Sequence, residues 1–398
     1  MNDTHHPELQ TIRDLVRWGA SRFQQAGLTF GHGTDNAFDE ALVLVTHALH
    51  LPLQFPHQYL AAHVTSRERD ETMALIRERI ETRKPAPYLT HEAWFAGLPF
   101  YVDERVLVPR SPLAEWIERG FQPWLQPDSV QRVLDLCTGS GCIAIACARA
   151  FEQAHVDAAD ISEDALAVAQ INVERFQLHE WVRLVESDLF AGLGGMRYQL
   201  IISNPPYVSA EEMATLPEEY RHEPTLGLTA GSAGLDVVIR ILAQAGRHLE
   251  PDGILVVEVG NSQAALAEAF PEVPFLWLDF ERGGHGVAVP VFDQHAEMIE
   301  EGAGLVRPRA EGEIAGREVD IEPQGLGLLL GHDRGVEEPA VEDRRGPHVG
   351  HDGSHVLELS DMERPSLGRS RRRARLRLRA AEREGRGRRA ESAEHRAT

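Results

Sequence analysis

An apolar strand that runs directly into a glycine-rich turn constrains the fold of this chain more than any other feature. Residues 133–136 are apolar apart from one aspartate, the turn contains Gly139 and Gly141, and an apolar segment follows over 142–151. Glycine lets the backbone approach a ligand closely, and a helix start offers free N–H groups to it. The segment predicts the first strand–helix unit of an α/β fold that binds a nucleotide-type cofactor. Because Gly139-x-Gly141-x-x-Ala144 also fits a dinucleotide fingerprint, a nicotinamide dehydrogenase stays open at this point.

Acidic residues end or follow the next two predicted strands. Strand 155–160 ends in Asp160, roughly 20 residues beyond the first glycine, which is the spacing of a carboxylate that binds ribose hydroxyls. Strand 182–186 leads to Asp188, whose carboxylate is suited to accept an adenine amino group, and to Leu189, which would cover the ring face. In open α/β sheets ligands bind at the carboxyl ends of the strands, so we expect these side chains near the glycine turn.

The sequence Asn-Pro-Pro-Tyr follows a further apolar run, residues 198–203. A conjugated NH2 group is a poor nucleophile, and the side-chain oxygen of Asn204 can accept one of its N–H groups. The carbonyl of Pro205 can accept the other, because a residue before proline is extended, and Pro206 stiffens the turn. Tyr207 would stack on the flat group. The motif indicates methylation of a planar NH2 group, although a plain strand-end turn explains it equally well when it is taken alone.

Together these motifs resemble those of the class I S-adenosylmethionine-dependent methyltransferases, and specifically the protein-glutamine N5-methyltransferases. The shared patterns are D-L-x-T-G-S/T-G, D-I-S, S-D-x-F and N-P-P-Y, in that order. The resemblance implies an α/β fold with a seven-stranded Rossmann-like sheet, S-adenosyl-L-methionine as the cofactor, and a glutamine amide that attacks the sulfonium methyl without a strong base. Carried over position by position, it implies these cofactor-binding residues: Asp135, Cys137, Thr138, Gly139, Ser140, Gly141, Asp160, Ile161, Asp188, Leu189 and Asn204.

The N-terminal third resembles one branch of that family, the branch that methylates large-subunit ribosomal protein L three. Stretches 30–36, 88–90, 93–95 and 100–112 carry this likeness. The release-factor branch usually has an acidic, threonine-containing sequence where this chain has Ser-Pro-Leu-Ala-Glu at 111–115. The resemblance implies a basic ribosomal protein as substrate, with methylation of a release factor or of a nucleobase amino group as alternatives. A non-catalytic scaffold is disfavoured by the intact motifs.

The residues expected to bind the substrate include two that lie outside the motif. The catalytic and substrate-binding set is Asn204, Pro205, Pro206 and Tyr207, joined for substrate binding by Arg110 and Glu223. Arg110 follows a proline in an extended segment before the catalytic domain, where a surface salt bridge is the simpler interpretation. The loop from Ser209 to His222 is expected to be able to close over the substrate.

Charge bears on the class of partner. The formal net charge is −22, and because 19 Arg and 19 acidic residues follow residue 300, all of it belongs to residues 1–300. An acidic body repels nucleic-acid phosphates and attracts basic proteins. We therefore expect no direct sequence-specific nucleic-acid binding, and a nucleobase methyltransferase would need a basic groove or target-reading domain. Acidity that serves solubility alone is an equally good explanation.

The composition indicates the cellular location of the protein and whether it binds a metal. The chain has no run of 18 apolar residues and starts with a polar segment unlike a signal peptide, which predicts a cytoplasmic protein without membrane contact. Cys137, Cys142 and Cys147 share one strand–turn–helix unit and match neither a zinc site nor a disulfide framework. His32 and His222 have no Cys or His at ligand spacing, so we predict no metal site.

The periodicity divides the chain into four parts. Helical spacing dominates the N-terminal region, β-rich sequence follows, and strands then alternate with helices up to a final antiparallel hairpin in which Pro290 fits poorly. After residue 292 aromatic residues are absent, which suggests a disordered arm or a reading-frame shift near residue 288. The predicted parts are a helical substrate-recognition domain (1–90), a connecting hairpin and linker (91–128), the catalytic domain (129–292) and the tail (293–398).

Overall fold

The computed structural model describes residues 6–290 of the 398-residue chain. The predictions for the tail after residue 290 lie outside these residues. The first part is helical, because capping side chains start each long helix and apolar residues recur on one face. Thr11 and Thr65 form capping boxes, and Asn36 caps the helix between them. The helices are α1 (Ile12–Gln25), α2 (Ala37–Ala48), α3 (Ser66–Thr82) and α4 (Ala86–Thr90), with a 3₁₀ turn at His57–Ala61.

A short antiparallel hairpin joins this helical part to the sheet domain. It pairs β1 (Ala93–Phe95) with β2 (Leu98–Phe100), and Gly97 at a φ of 70° completes its tight turn. A stretch without helix or strand, from Tyr101 to Ser111 with a turn at 104–105, follows and leads into α5 (Leu113–Glu118).

Seven strands form the main sheet, in the order β5-β4-β3-β6-β7-β9-β8. Every neighbouring pair is parallel except those made by β9, which runs antiparallel to both β7 and β8. This confirms the predicted seven-stranded α/β fold. The strands are β3 (Arg132–Leu136), β4 (His155–Asp160), β5 (Val182–Glu186), β6 (Tyr198–Ser203), β7 (Leu249–Glu258), β8 (Phe275–Trp277) and β9 (Val287–Pro290).

Helices cover both faces of the sheet and create two apolar layers. The long ones, α6, α7 and α10, each present buried apolar residues to it. Their bounds, with those of the shorter helices, are α6 (Cys142–Ala150), α7 (Glu163–Arg175), α8 (Ala210–Thr215), α9 (Thr225–Leu228), α10 (Asp236–His248) and α11 (Gln263–Ala269), with 3₁₀ turns at Pro127–Ser129, Glu218–His222 and Gly260–Ser262.

The strand order reverses beside β3, and this sets where a ligand can bind. β4 flanks β3 on one side and β6 flanks it on the other, with Leu136 paired to Ser203 at their carboxyl ends. The glycine turn and the Asn-Pro-Pro-Tyr segment therefore leave the sheet as neighbours. In open α/β sheets, the crevice at such a reversal is where ligands bind.

The final hairpin forms despite Pro290. β9 pairs with β7 only through Val287 and Ala288, whereas Pro290 lies two residues beyond that ladder and stands opposite Phe275 of the edge strand β8. A proline is tolerated there because β7 does not need its missing N–H group.

Candidate active site

The glycine turn is held in shape by the aspartate that precedes it. Asp135 Oδ2 accepts hydrogen bonds from Thr138 Oγ1 (2.5 Å) and from the backbone N of Ala144 (3.0 Å), which ties the turn to the first turn of α6. Cys137, Gly139 and Gly141 all have positive φ values, of 59°, 55° and 77°. At Gly141 a Cβ would also approach Ala169 Cβ to 3.2 Å, so a glycine is required on two counts.

Asp160 stands at the end of β4 next to this turn. Its two carboxylate oxygens accept hydrogen bonds from the backbone N of Gly139 and of Ser162, both at 2.9 Å. Burial raises the pKa of Asp160 above its usual value, and these bonds partly offset the increase. The following Ile161 is 53% exposed, which is a large apolar surface at the edge of the crevice.

At the end of β5, Asp188 and Leu189 differ in their surroundings. Leu189 is buried and has a φ of 51°. Asp188 is half exposed and its Oδ2 accepts a hydrogen bond from Arg240 at 2.7 Å, a partner that sequence reasoning missed because α10 follows some 50 residues later.

The Asn-Pro-Pro-Tyr segment is fixed at its two ends. Before it, Ser203 Oγ donates to the carbonyl of Leu136 at 2.8 Å and so joins β6 to β3. After it, Tyr207 Oη donates to Glu258 Oε1 at 3.0 Å, and Ser262 Oγ donates to the carbonyl of Tyr207 at 3.1 Å. Within residues 6–290 no hydrogen bond engages the half-buried side chain of Asn204, so it is available to a ligand.

Glu258 is a functional candidate that the sequence motifs did not reveal. It is 4% exposed, ends β7, and accepts hydrogen bonds from Tyr207 Oη and from Ser111 Oγ. Because Ser203 pairs with Val257, the next residues, Asn204 and Glu258, are neighbours at the sheet edge. Burial raises the pKa of Glu258, and the two hydroxyl donors counter it. The available signal was its position, an acid at the end of a central strand.

Arg110 and Glu223 come together as a bidentate ion pair. Arg110 Nη1 lies 2.5 Å from Glu223 Oε1, and Arg110 Nη2 lies 2.7 Å from Oε2, while the backbone N of Val108 donates to Oε1 at 3.1 Å. The Glu223 side chain is fully buried, whereas that of Arg110 keeps 28% of its surface exposed. Burial acts to raise the pKa of Glu223, but the nearby His32 imidazole and the hydrogen bonds from Arg110 outweigh it and lower the pKa to about 2. The predicted salt bridge of Arg110 therefore exists, with a buried carboxylate.

Comparison with known proteins bears on the family. The model of the methyltransferase small domain matches residues 121–218. The ribosomal protein uL3 glutamine methyltransferase of Xanthomonas campestris pv. campestris is 53% identical over 280 residues, which span 70% of this chain and 91% of that protein. The protein of the same name from Xylella fastidiosa strain 9a5c is 54% identical over 280 residues, spanning 70% and 89%. This chain belongs to the uL3 glutamine methyltransferase family.

Membership of the uL3 glutamine methyltransferase family confirms the enzyme class predicted from the motifs, a glutamine methyltransferase. It excludes the dehydrogenase that the glycine turn alone left open. The family implies S-adenosyl-L-methionine as the methyl donor. In the part of the chain that the structure describes, no helix is long and apolar enough to cross a membrane, and no cluster of three or more metal-ligand side chains occurs.

Asp135 gives this enzyme a testable pH dependence. Burial raises the pKa of Asp135 to about 7, against the lowering effect of Thr138 and Ala144. A folded-state pKa above the unfolded value means that stability is fully present below about pH 4 and is lost as the pH rises through about 7. We expect the free energy of unfolding to fall more steeply between about pH 4 and pH 7 in the wild type than in Asp135→Asn. Urea titrations at several pH values measure this, and parallel pH profiles would contradict it.

The Tyr207–Glu258 contact predicts a second effect. Removing the hydroxyl in Tyr207→Phe leaves a buried carboxylate oxygen without its donor, so the free energy of unfolding should fall by about 1–3 kcal/mol. Adding Glu258→Gln should recover part of this loss, because a neutral amide costs less to leave unpaired. Chemical denaturation of the two variants and the wild type measures both changes. Wild-type stability in Tyr207→Phe would show that the contact is unimportant.

Part of the segment after the Asn-Pro-Pro-Tyr motif, which is predicted to be able to close over the substrate, is held by contacts with the N-terminal helices. Within 209–222, Glu219 is completely buried and accepts hydrogen bonds from the backbone N of Thr29 (2.9 Å) and from Arg83 (2.7 Å). His222 Nε2 lies 2.9 Å from the carbonyl of Thr82. The second half of the loop is thus attached to the N-terminal helices, and only residues 209–217 remain candidates for closure.

Proposed function

We propose that this enzyme transfers a methyl group from S-adenosyl-L-methionine to the side-chain amide nitrogen of a glutamine in ribosomal protein uL3, the large-subunit protein L three. The observation that carries the proposal is the unengaged side chain of Asn204 at the tip of β6, directly beside the glycine turn of β3. The uL3 substrate is the one named for relatives at 53–54% identity.

The proposed methylation of an amide depends on two hydrogen-bond acceptors. Asn204 Oδ1 and the carbonyl of Pro205 each accept one amide N–H, which orients the NH2 group and leaves its lone pair as the only free direction of attack. Pro205 is buried and Pro206 restricts it, so the turn holds this geometry before the substrate arrives. Tyr207, locked through Glu258, supports the flat amide. The proton that the nitrogen loses passes to solvent.

The residues around the crevice fit the proposed cofactor. Asp135 Oδ1 is buried and has no hydrogen-bond partner among residues 6–290, and Asp160 adds a second carboxylate beside the glycine turn. The unpartnered oxygen of Asp135 can accept a hydrogen bond from a ligand, the Asp160 carboxylate favours a positively charged one, and the exposed Ile161 offers an apolar surface for a purine. When bound, S-adenosyl-L-methionine supplies an electrophilic methyl group. We assign its binding to the eleven motif residues named from the sequence.

Substrate binding beyond the acceptor turn is assigned to Arg110. The Arg110 side chain keeps 28% of its surface exposed, whereas the complete burial of the Glu223 side chain favours a role through Arg110 rather than direct contact. We propose that the helical residues 1–90 recognise the substrate, and that the negative charge of residues 1–300 attracts basic uL3. A cytoplasmic location, where ribosomal proteins are made, follows from this proposal.

Methyl transfer from labelled cofactor to three purified acceptors tests the proposed function. We expect label in uL3, and little or none in a class I release factor or in ribosomal RNA. Label in the release factor alone would assign the enzyme to another substrate, and label in the RNA would contradict the amide chemistry itself.

A further inference from the structure

The side chain of His32 is buried, and the backbone conformation of its two neighbouring glycines places it there. It lies in the loop between α1 and α2 and is 1% exposed. The glycines on either side have left-handed φ values, 121° at Gly31 and 91° at Gly33, and the N of Gly31 donates to the carbonyl of Thr34 at 2.7 Å. Only glycine adopts such angles readily, so the loop turns sharply enough to insert the imidazole.

The imidazole meets the Glu223–Arg110 pair. His32 Nε2 lies 3.5 Å from Glu223 Oε2, the same oxygen that accepts from Arg110 Nη2. His32 also packs on the ring of Tyr220, with 4.5 Å between the ring centroids, and the Arg110 guanidinium lies 5.5 Å from the centroid of that same ring. His32, from the N-terminal helical region, thus contacts both Glu223, the ion-pair partner of Arg110, and Tyr220, whose ring lies against the Arg110 guanidinium.

Stability does not explain a histidine at this place. Among residues 6–290, neither ring nitrogen of His32 has a hydrogen-bond partner in good geometry, and both are buried. A buried polar atom without a partner costs free energy, so a phenylalanine of similar shape should fold at least as well. The nitrogen that faces Glu223 is what distinguishes the histidine.

We infer that His32 is a positioning residue of the methyl transfer, because it holds the Glu223 carboxylate and through it the guanidinium of Arg110 at the mouth of the acceptor site. This inference rests on the proposed function, in which Arg110 binds the protein substrate. It makes the N-terminal region part of the active site as well as a surface for recognition.

Two substitutions at one position separate positioning from packing. His32→Phe keeps a ring against Tyr220 but removes the nitrogen, and we expect kcat/KM for the protein substrate to fall by about tenfold or more. The unfolding midpoint and the Kd for S-adenosyl-L-methionine should stay at wild-type values. His32→Gln returns an N–H donor and should recover most of the activity. His179→Phe, at an exposed histidine in the turn before β5 and outside residues 1–90, should match the wild type.

A double-mutant cycle shows whether His32 acts through Glu223. Once Glu223→Gln has weakened the hold on Arg110, adding His32→Phe should cause little further loss, because coupled residues are not additive. Losses that multiply, or a His32→Phe enzyme with wild-type kinetics, would overturn the inference. If His32→Phe does not fold, comparing the activity of His32→Gln with that of Glu223→Gln decides the inference. Near-wild-type activity of His32→Gln supports it, and an activity as low as that of Glu223→Gln contradicts rescue by the N–H donor.

A measurement without substrate keeps this inference separate from the proposed function. The side-chain Nε–Hε NMR signal of Arg110, assigned by its absence in Arg110→Lys, should report an ordered guanidinium in the wild type and His32→Gln and a mobile one in His32→Phe. Equal order in all three would overturn the positioning role. Failure of the wild type to methylate uL3 would instead overturn the proposed function and leave this readout intact.

Discussion

Asn204→Ala is expected to reduce methyl transfer by about two to three orders of magnitude, and to weaken cofactor binding much less because the ten other cofactor-binding residues of the motifs remain. The substitution removes the oxygen that accepts one amide N–H and leaves the Pro205 carbonyl as the sole acceptor, so the amide can rotate and its lone pair is no longer aimed. Because no hydrogen bond among residues 6–290 depends on the Asn204 side chain, the fold should not suffer.

Single-turnover kinetics with uL3 and calorimetric titration with the cofactor measure these two quantities. Asn261→Ala, the same change at an exposed asparagine after β7, is the matched control and should keep near-normal transfer. Asn204→Asp should fall between the two, since a carboxylate still accepts an N–H but adds a charge. Transfer by Asn204→Ala at a near-normal rate would remove Asn204 from the mechanism.

Arg79→Met is expected to lower the free energy of unfolding by about 3–5 kcal/mol, which is a large part of the stability of a typical domain. Arg79 is completely buried, and its Nε donates to Glu40 Oε1 at 2.6 Å. It also donates from Nη2 to the carbonyl of Thr29 and lies 3.9 Å from Glu219. Without the guanidinium, two carboxylates would stay buried, and among residues 6–290 Glu219 would keep the cation of Arg83 whereas Glu40 would have none.

Urea denaturation of Arg79→Met measures this loss. Arg67→Met breaks an exposed pair with Glu71 on the same helix and should leave the midpoint unchanged, which makes it the control. Because Glu219 belongs to the segment that follows the Asn-Pro-Pro-Tyr motif, limited proteolysis should also cut residues 209–222 faster in Arg79→Met. Equal free energies of unfolding for Arg79→Met and Arg67→Met would show that the buried cluster around Arg79 does not stabilise the contact between the helical part and residues 209–222.

Sequence patterns predicted the features that depend on local chemistry. The glycine turn and Asn204–Tyr207 are recognisable from the sequence because each is a short segment whose residue types favour one backbone conformation. The resemblance to the family then indicates that both belong to one active site. The strand pairing that sets Leu136 beside Ser203 joins two strands that are not consecutive, so it is expected from the fold that the family resemblance implies and not from the order of the elements alone. The seven-stranded sheet was predictable for the same reason.

Contacts between distant segments were not predictable. Ser111 and Glu258 are 147 positions apart, and Arg110 and Glu223 are 113 apart, so no periodicity reveals either pair. The predicted closing loop was too long because the burial of Glu219 depends on Arg83 and Thr29 of another region. The sequence predicts only that His32 is not a metal ligand, and the structure shows which carboxylate it faces.

The chemical identity of the methylated group is the most direct test of the central claim. After transfer of a labelled methyl group to uL3, acid hydrolysis of the purified protein should release the label as methylamine, because N5-methylglutamine hydrolyses to glutamate and methylamine. Tandem mass spectrometry of the intact peptides should place one methyl group on one glutamine. Label that stays on a lysine, an arginine or the protein backbone after hydrolysis would contradict the assignment of Asn204 and Pro205 as amide-binding groups.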